Sequence, residues 1–244
     1  MTDSSTSAKR LVFISEQTPW PLTSGGNIRT FFVLKALARK YQVTLLTSSN
    51  SEVDMGAADA ALRALGVSIR YCERRKERSA VERTGLAAKT LIIGKSLFLA
   101  NNANPEFARI VEELVRSDEV DLIHCNHLDT VQNVPHRCPV PYAVDTHNVM
   151  FEYYERRAEN APTWLQKQIF RAESARLRTY EVDSLKAASL VVVCSEDERD
   201  TLARERSDLV ADVVPNGVDL ARFSSCPEQP FTHPSTLVFV GDMA

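Results

Sequence analysis

Glycine is scarce in this chain, with eight in 244 residues, yet two stand side by side in "PLTSGGNIRTFF". Cysteine is sparse too: Cys72, Cys125, Cys138, Cys194 and Cys226 form no C-x-x-C pair. That spacing excludes a disulfide framework and a thiolate zinc site, and fits buried thiols in a reducing compartment. Positive charge is not in excess, and a formal net charge of −3 argues against a nucleic-acid binder held by bulk electrostatics. No run of ~20 apolar residues occurs, so no segment reads as a membrane span. "LVFI" behind Lys9 and Arg10 is too short for a signal-peptide core, and Glu16 follows closely. Also missing are a G-x-G-x-x-G turn and a Walker lysine, which removes the dinucleotide and P-loop readings. Internal repeats and low-complexity tracts are absent. Together these gaps predict a cytoplasmic globular protein.

What is present is an alternation of short apolar runs and helical patterns. Strands are predicted at Leu11–Ser15, Val43–Thr47, Val67–Cys72, Asp121–His124, Tyr142–Asp145, Leu190–Cys194 and Ala211–Val214. Most are continuous apolar runs without period-two alternation, the pattern of strands covered on both faces of a parallel sheet. Helices are predicted at Asn27–Lys40, Asp54–Leu65, Pro105–Arg116, Phe151–Ala187 with a break before Thr163, and Ser195–Arg206. "TWLQ" and "SEDE" read as capping boxes opening two of them. The result is a doubly wound, mostly parallel, Rossmann-like α/β sheet.

Residues 1–9 read as a disordered tail and 10–219 as one domain. The proline-spaced "SSCPEQPFTHPS" reads as part of an exposed linker over 220–235. "TLVFVGDMA" follows as the first strand of a second α/β domain, over 236–244, that the chain does not complete. The basic run "ERRKERSAVER" leads into an apolar stretch carrying Lys89 and Lys95. Glu73–Ala100 is therefore either a solvated loop with a core helix, or an amphipathic surface for anionic lipid.

Candidate site residues come from strand ends, because open α/β sheets bind ligands beyond the carboxyl ends of their strands. With Asn27 as helix cap, Ile28, Phe31, Leu34 and Ala38 form the face turned to the sheet. Gly25 and Gly26 then let backbone approach a ligand, and first-turn amides favour an anion. A plain Gly-Gly turn explains the pair as well. Arg29 sits where the helix dipole disfavours a cation, so an anionic ligand or an acidic side chain should face it. "YAVDTHNV" delivers Asp145, His147 and Asn148 to the cleft, and "LIHCNHLDT" delivers His124, Asn126, His127 and Asp129. The H-x-x-H spacing lacks the glutamate and helix of a zinc protease, so polar lining of an acceptor pocket is preferred to a metal site. Ser195 reads as a cap, and Asn216-Gly217 as a turn.

In this order, "TPWPLTSGGNIRTFFVLKALA", "DTHNV", "VVVCSE" and "VVPNGVD" resemble the N-terminal half of a family 4 glycosyltransferase of the GT-B fold, close to bacterial exopolysaccharide-associated sugar transferases. The resemblance runs from about Arg10 to Asp219. It implies a retaining transfer from a nucleotide sugar to a glycan or lipid-linked acceptor, without a metal ion or other cofactor. It implies that Gly25 and Gly26 lie against the donor diphosphate with Arg29 nearby, and that His147 contacts the transferred sugar. Asn216 and Gly217 would mark the crossing into the second domain. The family's E-x7-E motif and diphosphate-clamping Arg and Lys belong to that second domain, so residues 1–244 are expected to be inactive alone. Two other readings stay open: a non-catalytic module or half-enzyme completed by a separate chain, and a nucleotide-sugar epimerase of the same fold.

Overall fold

In the computed structural model, residues 8–50, 53–73 and 79–220 are described. Seven strands form one all-parallel sheet: β1 (Arg10–Gln17), β2 (Gln42–Ser48), β3 (Ser68–Cys72), β4 (Leu122–Asn126), β5 (Tyr142–Asp145), β6 (Leu190–Val193) and β7 (Asp212–Val213), in the order β3-β2-β1-β4-β5-β6-β7. The strand order reverses direction between β1 and β4. That point, at the carboxyl ends, is where a doubly wound sheet opens a crevice.

Helices pack on both faces: α1 (Gly25–Leu37), α2 (Met55–Arg63), α3 (Ala80–Ile93), α4 (Leu97–Asn102), α5 (Pro105–Arg116), α6 (Met150–Glu159), α7 (Trp164–Ala187) and α8 (Glu196–Glu205), with a 3-10 turn at Leu128–Asn133. Alternate residues of β1 explain why its run is unbroken. Leu11 and Phe13 join Leu34, Val43, Leu45 and Leu62 in one core, while Val12 and Ile14 join Phe107, Val111, Ile123 and Cys125 in the other. Helix α5 follows from its sequence: Asn104 caps it, Pro105 opens it, and Phe107, Ile110, Val111 and Leu114 line one buried stripe.

Two departures matter for the site. Helix α1 begins at Gly25, not Asn27, because the Ser24 side chain accepts from Asn27 N and so caps the helix. The paired glycines are thus the first turn of the helix itself. Its buried residues are Arg29, Thr30 and Leu34, with Phe31 and Ala38 only partly covered and Ile28 half-exposed. The second departure is how α4 and α6 are held. The Glu173 carboxylate on α7 accepts from Ser96 Oγ, Leu97 N and Phe98 N at 2.5, 3.1 and 2.8 Å. Eight residues on, Glu181 accepts from Met150 N and Phe151 N at 3.0 Å each. Val149 offers α6 no side-chain cap, so the orphan amides of that helix start are satisfied by a carboxylate from α7.

Of the region read as a lipid-facing surface, Glu73 and residues 79–100 are described, and α3 is the longest helix there. Val81, Ile92 and Ile93 on it are exposed, while Thr90 is buried. The linker at 220–235, apart from Leu220, and the strand at 236–244 lie outside the described residues, as does most of the 1–9 tail. Among the described residues no helix is long and apolar enough to cross a membrane.

Arg29 ties three elements together. Its Nη2 and Nε donate to Asp145 Oδ1 at 2.7 and 3.3 Å, and its Nη1 donates to Val214 O at 2.8 Å and Asn216 Oδ1 at 3.1 Å. Both side chains of the ion pair are almost fully buried. Removing one partner strands a charge in the interior, at a cost of about 3–5 kcal/mol. Arg29→Met should therefore lower unfolding free energy by roughly that amount, and Asp145→Asn added to it should recover a substantial part. Urea titration of the two variants checks this. A double variant no more stable than Arg29→Met would contradict it.

Candidate functional site

A cavity of about 280 Å³ opens at the reversal point of the sheet. It is lined by Ser15, Glu16 and Gln17 from the end of β1, Gly26, Asn27 and Thr30 from α1, Asn126 at the end of β4 with His127 and Asp129 after it, His147 following β5, and Asn102 at the end of α4. Of the sequence-derived candidates, the cavity thus gathers Gly26, Asn126, His127, Asp129 and His147.

The others lie elsewhere, each for a physical reason. Arg29, expected to face a diphosphate, spends its guanidinium on Asp145, Val214 and Asn216; the acidic side chain that offsets the helix-dipole cost is Asp145. Asp145, expected in the cleft, is buried beneath that pair. His124 is buried with its ring stacked on Phe13 at a centroid distance of 4.4 Å, so it packs instead of lining the cleft. Asn148 is exposed outside the cavity. Asn216 is held by Arg29, with Gly217 exposed beside it. Gly25 stands at the helix start, one residue from the lining.

His147 is oriented by Asn126. The Asn126 amide donates to Thr30 Oγ1 at 3.2 Å and Ser15 Oγ at 3.4 Å, which turns its Oδ1 toward His147 Nε2 at 3.2 Å. Nε2 therefore carries the proton, and Nδ1 keeps its lone pair. Burial first, then the positive charges of His127 and Arg29, hold the His147 pKa down to about 4. The ring is neutral at physiological pH, and Nδ1 is a hydrogen-bond acceptor. A Cβ built on Gly26 would lie 3.8 Å from that Nδ1. Neither Gly25 nor Gly26 has a positive φ, and neither would place a Cβ in a clash. The fold itself thus gives no reason for glycine at either position, although glycine weakens a helix by about 1 kcal/mol relative to alanine.

Beside His147, with ring centroids 5.3 Å apart in an edge contact, His127 adopts φ 88° and ψ 151°, a conformation that is nearly confined to glycine and costs on the order of 1–3 kcal/mol. It is held by His127 N donating to Asp145 O at 2.9 Å, and by Thr130 N and Oγ1 donating to His127 O at 3.2 and 2.8 Å. Its Nδ1 lies 3.2 Å from Asp129 Oδ1. Burial works to lower the His127 pKa, but the hydrogen bond and charge of Asp129 outweigh it and the net direction is upward. Glu16 is the residue that reading the sequence passed over. Burial, then the charge of Asp129, pushes its carboxyl up to about 7, and its Oε1 is buried without a hydrogen-bond partner. The same strand-end rule applied to β4 and β5 would have found it at the end of β1. Asn102 had no such signal, since it reaches the cavity from a separate helix. Among the described residues, no group of three His, Cys, Asp or Glu side chains could hold a metal ion.

The opposed shifts give a pH signature. Glu16, raised from 4.5 to about 7, contributes stability that is full below pH 4.5 and lost as pH rises through 7. His124 and His147, each lowered from 6.5 to about 4, contribute stability that is full above pH 6.5 and lost as pH falls through 4. Between these limits the carboxyl and the imidazoles act in opposite directions. Glu16→Gln should therefore make stability fall more steeply on acidification from pH 6.5 to 4.5 than in the parent protein. Denaturant midpoints measured across that range check it, and parallel curves would refute it.

Comparison with known proteins adds the following. The family model described as Glycosyltransferase Family 4 matches residues 23–222. No curated protein sequence matches the chain. Similar solved structures include UGT73P12 from Glycyrrhiza uralensis, complexed with glycyrrhetinic acid 3-O-monoglucuronide, at 13% identity and TM-score 0.49, over 85% of this chain and 49% of that one. UGT89C1 from Arabidopsis thaliana, complexed with UDP, is similar at 13% identity and TM-score 0.47, over 90% and 55% of the two chains. A UDP-N-acetylglucosamine 2-epimerase is similar at 11% identity and TM-score 0.48, over 93% and 53%. The chain spans about half the length of each of these structures.

Proposed function

Since the chain belongs to glycosyltransferase family 4, we propose that it is the acceptor-side half of a sugar transferase that moves a glycosyl group from a nucleotide sugar to a glycan or lipid-linked acceptor, with retention. The observation that carries this reading is the neutral His147, aimed by Asn126 into a polar cavity at the sheet's reversal point, with Gly26 beside it. In this proposal His147 Nδ1 accepts a hydrogen bond from a hydroxyl of the transferred sugar. The amides at the start of α1, at Gly25 and Gly26, face the diphosphate and stabilise the charge that grows on it as the glycosidic bond breaks. Glycine at these two positions lets the phosphates approach the backbone, which accounts for residues that the fold alone does not require. Arg29 acts as a positioning residue, fixing α1 against Asp145 and holding the Val214–Asn216 segment that leads toward a donor-binding domain.

A donor site completed by a second domain, with no metal ion, belongs to the same proposal, as does location in the cytoplasm. Peripheral contact with an anionic membrane surface is a further part of it, supported by the exposed Val81, Ile92 and Ile93 on α3 next to a basic run in the sequence.

The test is transfer from a panel of nucleotide sugars to glycan and lipid-linked acceptors, by residues 1–244 alone and by the same residues supplied with a donor-binding domain. Transfer is expected with that domain present and not from residues 1–244 alone. Epimerised nucleotide sugar formed without any acceptor would favour the epimerase reading instead. In the active protein, His147→Ala should cut turnover by roughly 100-fold or more while leaving Tm within a degree or two. Gly25→Ala should also lower turnover, with an unchanged or raised Tm. Loss of activity only in step with loss of stability would point to packing roles for both residues.

A further inference from the structure

The cavity has a chemistry of its own. Glu16, His127, Asp129 and Asn102 line it, and among the described residues that do so none is lysine or arginine. Arg29 cannot supply the missing cation, because Asp145, Val214 O and Asn216 engage its guanidinium. An anionic group would meet two carboxyl side chains and no fixed positive partner other than the imidazole already facing Asp129. Hydroxyl groups meet a better match: carboxylate oxygens that accept, amides that do both, and an imidazole nitrogen.

We propose that Glu16, His127 and Asp129 form the acceptor subsite, and that it takes an uncharged, hydroxyl-bearing sugar ring and excludes a phosphate. The assignment rests on the transferase reading above and narrows its acceptor to one chemical class. The turn after β4 needs only a glycine-type backbone, yet it carries a histidine held in that conformation by Asp145, Thr130 and the 3-10 turn. Asp129 fixes the ring through Nδ1. Nε2, without a hydrogen-bond partner among the described residues, is then the atom presented to a hydroxyl. Phe98, on α4, braces the other side of the ring at a centroid distance of 6.5 Å. The same helix carries Asn102 into the cavity and is capped by Glu173, so the amide and the imidazole keep a fixed relation.

The test uses residues 1–244 and follows the Cε1–H resonances of the histidines by NMR, assigned with His127→Ala and His147→Ala. The probes are methyl glycosides of glucose, galactose, mannose and N-acetylglucosamine, and the corresponding hexose phosphates. At least one glycoside should shift the His127 signal saturably below ~50 mM, a range that covers weak millimolar ligands. The hexose phosphates should shift it less at the same concentration. Asp129→Asn and Glu16→Gln should each weaken that binding by roughly tenfold or more, as expected for losing a charge-assisted hydrogen bond. Two variants are needed because Asp129 is buried and its replacement could unfold the turn, whereas Glu16→Gln keeps the shape of a half-buried side chain.

Tighter binding of a hexose phosphate than of its glycoside overturns the proposal. So does a response confined to His147 that survives Asp129→Asn, which would place the sugar in the donor position. Silence from every glycoside overturns it as well. Failure of the transferase reading looks different: the glycosides bind at His127, while the protein supplied with a donor-binding domain transfers no sugar to any acceptor.

Discussion

A guanidinium leaves water only when its donors are answered, and Arg29 has them answered by two parts of the chain remote from its own. Asp145 lies 116 residues away and Asn216 lies 187 away. The first turn of α1, the end of β5 and the segment after β7 are therefore fixed against one another by a single side chain. Everything proposed for the site depends on that arrangement. It sets where the glycines start the helix, where the strand ends before His147, and how the chain departs from the domain. Buried ion pairs of this kind add little net stability over a well-packed apolar substitute, but they penalise alternatives in which either partner is alone. Here the alternative would be a different docking of α1 on the sheet.

The cavity itself is a product of topology. Strands β1 and β4 are neighbours in the sheet while their following connections run to opposite sides. The carboxyl ends separate there, and polar residues at those ends have no helix above them to pack on. Ser15, Glu16 and Gln17 on one side and Asn126, His127 and Asp129 on the other are the consequence. His147 is added by the next strand, and Asn126 sets both its tautomer and its direction.

Much of this was legible in the sequence, and the reason is burial. The central strands could be read because they lie under helices on both faces and so carry apolar runs, as in "LVFI", whereas the edge strands β3 and β7 are only partly buried. Helix α5 was legible because its cap, its proline and its apolar stripe agree. The start of α1 was not: Ser24 and Asn27 are both good caps, and local chemistry does not choose between them. In the fold Ser24 takes the role, while the Asn27 side-chain amide donates to Pro21 O. His124 illustrates the opposite error. It sits at a strand end among polar residues, yet the alternation along β4 turns it under the sheet surface onto Phe13. Glu16 looked like a charge that merely closes an apolar run. Only the fold shows it beside Asp129, with an oxygen that finds no partner. Glu173 and Glu181 carry no local signal in the sequence, because a cap that arrives from another helix leaves no local pattern.

Those two glutamates make α7 a gauge. They are eight residues apart on one continuous helix, a spacing of about 12 Å at 1.5 Å per residue. At one end the helix grips α4, which carries Phe98 and Asn102; at the other it grips α6, which follows directly from the His147 loop. The separation between the two walls of the cavity is thereby written into the pitch of a helix that touches neither ligand group. Substitutions on the outer face of α7 leave that length unchanged. A single residue inserted between Glu173 and Glu181 would turn one carboxylate by about 100°, so that only one of the two helix starts could be held. The outer face of this helix can thus vary in composition, but the stretch between the two glutamates cannot vary in count.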